Sequence, residues 1–172
     1  MKNWNSLLLA CFLLFTSSIS FSQATIELTV TGGTATTTCT DLFSAPDPLW
    51  SVEVENGGWV NYPQQGFCYT ALPNVQFSQT YTCLTNAPAT INVCFRAFEN
   101  DGTGICTITA ACEETICQNF AVPTTPGSLS YTLALPNGQS SGGNVQFTIS
   151  ASGTGAMDNE AICGAVDAGV LD

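Results

Sequence analysis

The segment Glu99-Asn100-Asp101-Gly102 carries the residue types best suited to binding a metal ion. Carboxylate and amide oxygens on a glycine turn are the hard ligands that Ca²⁺ takes. The spacing is not that of a complete calcium loop, and a polar turn that ends a strand explains the same residues. We keep Glu99 and Asp101 as candidate ligands and calcium as the one cofactor considered. Further carboxylates would come from other loops: Asp41, Asp47, Asp158 or Glu160.

Aromatic residues are concentrated in the first half of the sequence, and Trp50, Trp59 and Tyr62 are the candidates for ligand binding. Exposed, coplanar rings on a β-sandwich stack against sugar faces, which would make the chain a carbohydrate-binding module. Packing of a tryptophan against a disulfide between two sheets is the more common use of such residues. The sequence leaves both open.

The acidic residues offer little for catalysis. Glu53 and Glu55 would lie on one face of a strand, about 7 Å apart, which is the arrangement of a glycosidase-type pair, but such acids are far more often part of a solvated sheet face. Glu113 and Glu114 are adjacent, so a strand would point them to opposite faces. The chain has no His, and its one Lys is Lys2. We therefore predict no catalytic role, because histidine-dependent nucleophiles, histidine-ligated metals and lysine Schiff bases are excluded.

The charge balance is strongly acidic, with 13 acidic residues against two basic ones and a net charge of −11. Lys2 falls in the predicted leader, so Arg96 would be the sole cation of the mature chain. No basic patch exists to neutralise phosphates, which argues against nucleic acid and anionic lipid as partners. We expect Arg96 to pair with an acid on its own strand face.

The first 24 residues are predicted to be a secretory signal peptide. A weakly positive start precedes an apolar run from Leu7 to Phe15 and a small-residue stretch from Thr16 to Ser20. The run is about half the ~20 residues that a spanning helix needs, so we predict that the chain does not span a membrane. The protein is expected to be secreted or displayed on the outer cell surface.

Eight of the nine cysteines lie beyond the leader, and an even set in an exported chain predicts a disulfide framework. Their spacing lacks the tight pairs of a zinc site, and the connectivity is left open. The eight are Cys39, Cys68, Cys83, Cys94, Cys106, Cys112, Cys117 and Cys163.

Apolar residues alternate with polar ones almost throughout, which predicts strands with one buried face. Clusters of Gly, Asn and Pro, among them Gly32-Gly33 and Gly142-Gly143, predict turns between them. The predicted fold is an all-β antiparallel β-sandwich, immunoglobulin-like or jelly-roll, held by disulfides. Residues 25–150 would form this domain and 151–156 a linker. Residues 157–172 would be its closing strand or the truncated start of a second module.

Four short segments resemble β-sandwich modules of large secreted or surface adhesin-like proteins of Bacteroidota, the kind exported by the type IX route. They are the leader end Ser20-Phe21-Ser22-Gln23, the stretch Asp47-Pro48-Leu49-Trp50, the strand end Val93–Gly102 and the segment Asn159–Ala165. The C-terminal sorting domain usual in such proteins is not present in this sequence, so we expect the chain to be part of a longer one.

The resemblance implies a non-catalytic module with an adhesive or structural role in a larger extracellular protein. An extracellular polysaccharide or a protein surface would be its partner. A carbohydrate-binding module and a calcium-stabilised structural domain are the two alternatives.

Overall fold

The structure, a computed structural model, describes residues 23–39, 47–62, 70–102 and 108–153. Eight strands and one short 3-10 turn make up the regular structure of this part, which contains no α-helix. The strands are β1 (Ala24–Thr37), β2 (Pro48–Val54), β3 (Val60–Tyr62), β4 (Asn74–Tyr81), β5 (Thr90–Asn100), β6 (Ala110–Ala121), β7 (Gly127–Ala134) and β8 (Ser141–Gly153). The 3-10 turn, Leu84–Asn86, lies between β4 and β5.

Two four-stranded sheets face each other. The first sheet has the order β4-β1-β8-β7 and the second has the order β3-β2-β5-β6. Every pairing in both sheets is antiparallel. The first and last strands, β1 and β8, lie side by side in the middle of the first sheet. The predicted antiparallel β-sandwich is therefore confirmed.

Alternation of apolar and polar residues positions the core between the sheets. In β1 every second residue from Ala24 to Val30 is buried, and the residues between them are partly exposed. Strand β8 repeats this pattern, and β5 supplies the facing set from the second sheet. Because successive side chains of a strand point to opposite faces, the buried set fixes which face of each sheet is inside. The inward-facing residues of these strands include Ile26, Leu28, Ile91, Val93, Phe95, Val145, Phe147 and Ile149.

The two glycine pairs that were expected to form turns lie inside strands instead. A Cβ atom at Gly33 would come within 2.7 Å of the buried ring of Trp50, so β1 can pass this ring only without a side chain. Gly143 has a φ of +134°, and a Cβ there would collide with the carbonyl oxygen of Thr34 on the neighbouring strand. Close packing, not chain reversal, requires glycine at both positions.

Disulfides join the two sheets and two neighbouring strands. Cys39, just after β1, bonds to Cys112 on β6, which connects the first sheet to the second across 73 residues of sequence. Cys94 and Cys117 lie directly opposite each other on β5 and β6 and are also bonded. Cys83 is disulfide-bonded as well. The remaining predicted members of the framework, Cys68, Cys106 and Cys163, lie outside the described residues.

Strands β1 and β8 extend past the predicted domain boundaries at residues 25 and 150. Strand β8 continues to Gly153, so it includes the first three residues of the predicted linker 151–156. Strand β1 begins at Ala24, the last residue of the predicted leader. Residues 1–22 of the leader, residues 154–156 of the linker and the segment 157–172 lie outside the described residues. Within the described ranges, no helix has the length and apolar character needed to cross a bilayer.

Candidate functional site

Arg96 lies on the outer face of the second sheet and contacts two aromatic rings. Its guanidinium carbon is 4.5 Å from the ring centre of Trp59 and 4.9 Å from that of Phe98. Phe98 is fully buried and Trp59 is half-buried, so the cation is held where water is partly excluded. Attraction between a cation and an aromatic face strengthens under such desolvation.

Polar partners complete this arrangement. One terminal nitrogen of Arg96 donates to a carboxylate oxygen of Glu113 at 3.4 Å, and the other donates to Ser51 Oγ at 3.2 Å. The Ser51 hydroxyl in turn donates to Asn61 at 2.6 Å. The expected pairing of Arg96 with a nearby acid is confirmed, and the Arg96 side chain is only 16% exposed. The cation is thus enclosed by the protein and is not presented to an anionic ligand.

Trp50 and Tyr62, two of the three rings considered for sugar binding, belong to the core. They are 1% and 0% exposed and stack on each other with centroids 4.5 Å apart and planes at 14°. Because they stack face to face inside the core, neither ring has a free face for a sugar. The predicted platform of Trp50, Trp59 and Tyr62 is therefore wrong, because two of its three rings point inward and pack between the sheets.

The Tyr62 hydroxyl ties β3 to β4 across the sandwich. It donates to Gln76 at 2.9 Å and accepts from the amide of Asn74 at 3.0 Å, and Gln76 donates on to the carbonyl of Val52. Burial raises the pKa of Tyr62, and the hydrogen bond from Asn74 opposes that shift. Tyr62 serves as a polar connection between the two sheets at this edge.

The candidate calcium ligands lie in different surroundings. Glu99 is buried, with 2% exposure, and one of its oxygens accepts from the backbone N–H of Asp47 at 3.4 Å. Asp101 is exposed. The side-chain oxygen of Asn100 accepts from the N–H groups of Gly102 and Thr109, so it connects the residues that follow β5 to those that precede β6. Within the described ranges no three acidic or cysteine side chains form a metal-binding group, and calcium stays a prediction.

The other carboxylates bind backbone groups or neighbouring strands. Strand β2 ends at Val54, so Glu55 lies in the following turn and not on the strand face predicted for a catalytic pair. The carboxylate of Glu53 accepts from the N–H of Gly58, and that of Glu55 accepts from the N–H of Asn92. These two acids therefore stabilise the β2–β3 turn and its junction with β5.

Glu113 and Glu114 point in opposite directions, as expected for adjacent strand residues. Glu113 pairs with Arg96 on the outer face of the second sheet. Glu114 accepts from the hydroxyl of Ser140 at 2.8 Å, next to the start of β8 in the first sheet. The two carboxylates do not share a site.

The first sheet differs from the second in the number of charged residues on its strands. The four strands of this sheet contain a single charged residue, Glu27, although the whole chain has a net charge of −11. Its outward positions on β1, β7 and β8 are mostly serine, threonine and glutamine. We call this surface the hydroxyl face and define it by Thr25, Glu27, Thr29, Thr31, Ser128, Ser130, Thr132, Gln146, Thr148 and Ser150.

Side chains on the hydroxyl face line up in rows across three strands. One row is Ser130, Thr148 and Thr29, and the row before it along β7 is Ser128, Ser150 and Glu27. An open hollow of about 300 Å³ lies beside these rows. Polar side chains dominate its lining, which consists of Thr31, Ser130, Tyr131, Thr132, Gln146, Phe147 and Thr148.

Sequence reasoning did not single out the hydroxyl face. The signal was present, because the polar positions of the alternating segments that form β1, β7 and β8 are hydroxyl or amide residues and almost none is charged. The sequence does not show that β7, β8 and β1 are neighbours in one sheet. This strand order brings the hydroxyl and amide positions together.

No model of a known protein family matches the chain, and no curated protein sequence matches it. Among solved structures, the chain is similar to a C2 domain of plant extended synaptotagmin 1, with 12% sequence identity and a TM-score of 0.36. That similarity covers 78% of this chain and 97% of the other. We draw no conclusion about function from so distant a likeness.

Proposed function

We propose that this chain is a non-catalytic, exported adhesion module of a larger extracellular protein, of the Bacteroidota kind that its sequence resembles, and that the hydroxyl face is its contact surface. The observation that carries the proposal is an exposed, nearly uncharged sheet face in a chain of net charge −11. Such a face can approach another surface without desolvating ions or meeting like charge.

The disulfides support an extracellular location. Bonds such as Cys39–Cys112 and Cys94–Cys117 form and persist in oxidising compartments and are rare in the cytosol. The bond between Cys39 and Cys112 also connects the two sheets covalently, which suits a module that must keep its shape outside the cell.

The use of the charged groups supports a non-catalytic role. Arg96 is enclosed by two rings and its polar partners, and the carboxylates of Glu53 and Glu55 accept hydrogen bonds from backbone N–H groups. Groups held in this way stabilise the fold. In the described part of the chain they are not directed together at a common point where a substrate would react.

A retention assay tests the adhesive role. The full chain is exported, purified and applied to particles coated with polysaccharides or with extracellular proteins, and the bound fraction is measured. We expect retention on at least one class of particle, and we expect Ser128→Glu to reduce it because a carboxylate is added to the hydroxyl face.

The matched control is Thr90→Glu, which adds the same charge at an exposed position of the second sheet. Failure of the wild type to bind any particle would contradict the proposal. Equal loss in Ser128→Glu and Thr90→Glu would also contradict it, because net charge rather than the hydroxyl face would then decide retention.

A further inference from the structure

We infer that the hydroxyl face binds a neutral polysaccharide chain, seated in the hollow between β7, β8 and the bulge of β1. The inference rests on the proposed adhesive function and names the partner class. It concerns a surface on the opposite side of the sandwich from Trp59, and it requires no aromatic platform.

A β-bulge shapes one side of the hollow. The register of β1 against β8 shifts between Val30 and Gly32, so Thr31 has no partner residue on β8. Its hydroxyl donates to the carbonyl of Gln146 at 3.1 Å. A Cβ at Gly32 would lie 3.3 Å from the side-chain oxygen of Gln146, so glycine leaves room for this amide over the strand. Bulges of this kind bend the strand and re-aim its side chains.

Donors and acceptors for a ligand are available on the other sides of the hollow. Ser130, Thr132 and Gln146 are exposed, and their side chains make no hydrogen bond to any described residue. Each hydroxyl or amide can both donate and accept. Neighbouring strands are about 4.8 Å apart, so a row across the sheet offers a repeated polar contact to an extended molecule.

The charge of the chain and of the hydroxyl face favours an uncharged partner. Anionic polysaccharides and nucleic acids would need cations, and the described part of the hydroxyl face has none, while the net charge of −11 repels them. A cationic partner would be drawn to the carboxylates, and this sheet carries only Glu27, which already accepts from the Thr29 hydroxyl at 3.2 Å. Uncharged polyhydroxylated chains match a surface of hydroxyls and amides without ion desolvation.

The test measures binding of the full exported chain to defined polysaccharides. Affinity electrophoresis and titration calorimetry use a neutral β-glucan, a neutral mannan and a neutral xylan, with polygalacturonate as the anionic comparison. We expect at least one neutral polymer to bind and polygalacturonate to bind at least tenfold more weakly. Thr132→Glu should weaken the neutral interaction about tenfold, because one or two hydrogen bonds are lost and a carboxylate is buried.

Two further variants test whether a loss of affinity arises from the hydroxyl face itself. Thr90→Glu adds the same charge to the second sheet and should leave affinity within about twofold. If Thr132→Glu lowers the midpoint of urea unfolding, Gln146→Ala replaces it, and a loss of several-fold in affinity is expected because the amide of Gln146 no longer hydrogen-bonds the ligand.

Different results separate the two proposals. Retention on protein-coated particles alone, sensitive to Ser128→Glu, would overturn the polysaccharide inference and leave the adhesive function standing. Retention on neither particle class would overturn both. Neutral-polymer binding that Thr132→Glu and Gln146→Ala leave unchanged would also overturn the inference, because the ligand would then bind elsewhere.

Discussion

Replacing Arg96 by methionine should destabilise the fold mainly through the loss of its aromatic contacts. Methionine keeps an unbranched apolar chain beside Trp59 and Phe98 but removes the charge. Each cation–ring contact is worth roughly 0.5–2 kcal/mol, with the higher values for desolvated sites. With two rings and a side chain that is 16% exposed, we expect Arg96→Met to lower the free energy of unfolding by about 2 kcal/mol.

The ion pair with Glu113 should contribute much less. The side chain of Glu113 is 41% exposed, and its single 3.4 Å contact with Arg96 is not a bidentate pair. Exposed pairs of this kind contribute about 0–1 kcal/mol. Glu113→Gln should therefore cost about 0.5 kcal/mol or less. The hydroxyl of Ser51 keeps its bond to Asn61 when the arginine is lost, so no buried hydroxyl is left unpaired.

Double-mutant cycles separate the two contributions. Urea unfolding of the single and double variants is measured in 0.1 M and in 1 M NaCl. We expect a coupling of about 1 kcal/mol between Arg96→Met and Trp59→Leu in both salts. The coupling between Arg96→Met and Glu113→Gln should stay below about 0.5 kcal/mol and shrink in 1 M salt, where the screening length is about 3 Å. A larger coupling to Glu113 than to Trp59 would refute this reasoning.

Three further predictions concern the core, a turn and pH. Gly33→Ala should lower the free energy of urea unfolding by about 1–3 kcal/mol, because the added Cβ meets the buried ring of Trp50. Gly32→Ala should lower it by less, because its Cβ meets only the side-chain oxygen of Gln146. An equal loss of stability in the two variants would contradict this reasoning. Peptide mapping after storage at pH 8 should find deamidation at Asn137 before Asn56, since the N–H of Gly57 is engaged by the carbonyl of Val54; the reverse order would count against it. Burial raises the pKa of Tyr62 above its ordinary value of 10.0, so the contribution of Tyr62 to stability is complete below pH 10 and declines as the pH rises through the folded pKa. The Tyr62→Phe variant should therefore lose less stability than the wild type between pH 9 and 11.

Inward and outward positions could be predicted from the sequence because burial follows the strand period directly. The alternation of Ile26, Leu28 and Val30 with polar residues needs no knowledge of partners to be interpreted. The fold class follows from the same pattern. Strand identity and register were not accessible, since they depend on contacts between residues far apart in sequence, such as those between β1 and β8.

Predictions from residue type alone were wrong where a tertiary contact determines the role of the residue. Gly33 signals a turn in most sequences, but here it accommodates the ring of Trp50. Tryptophan and tyrosine suggest a sugar platform, yet Trp50 has the same parity in β2 as the buried Val52 and Val54, and this parity already indicated an inward side chain. The partners of Glu53 and Glu55 are backbone N–H groups, which carry no residue signature in the sequence.

The uneven distribution of charge between the two sheets links the fold to the proposed function. The strands of the second sheet carry Glu53, Arg96, Glu99, Glu113 and Glu114, whereas those of the first carry only Glu27. The net charge of −11 keeps copies of the chain apart through mutual repulsion. The hydroxyl face, whose one charged group is Glu27, adds little to that repulsion. Contact is then favoured with surfaces that are themselves uncharged, and salt should change such binding far less than it would change the attraction between charged partners.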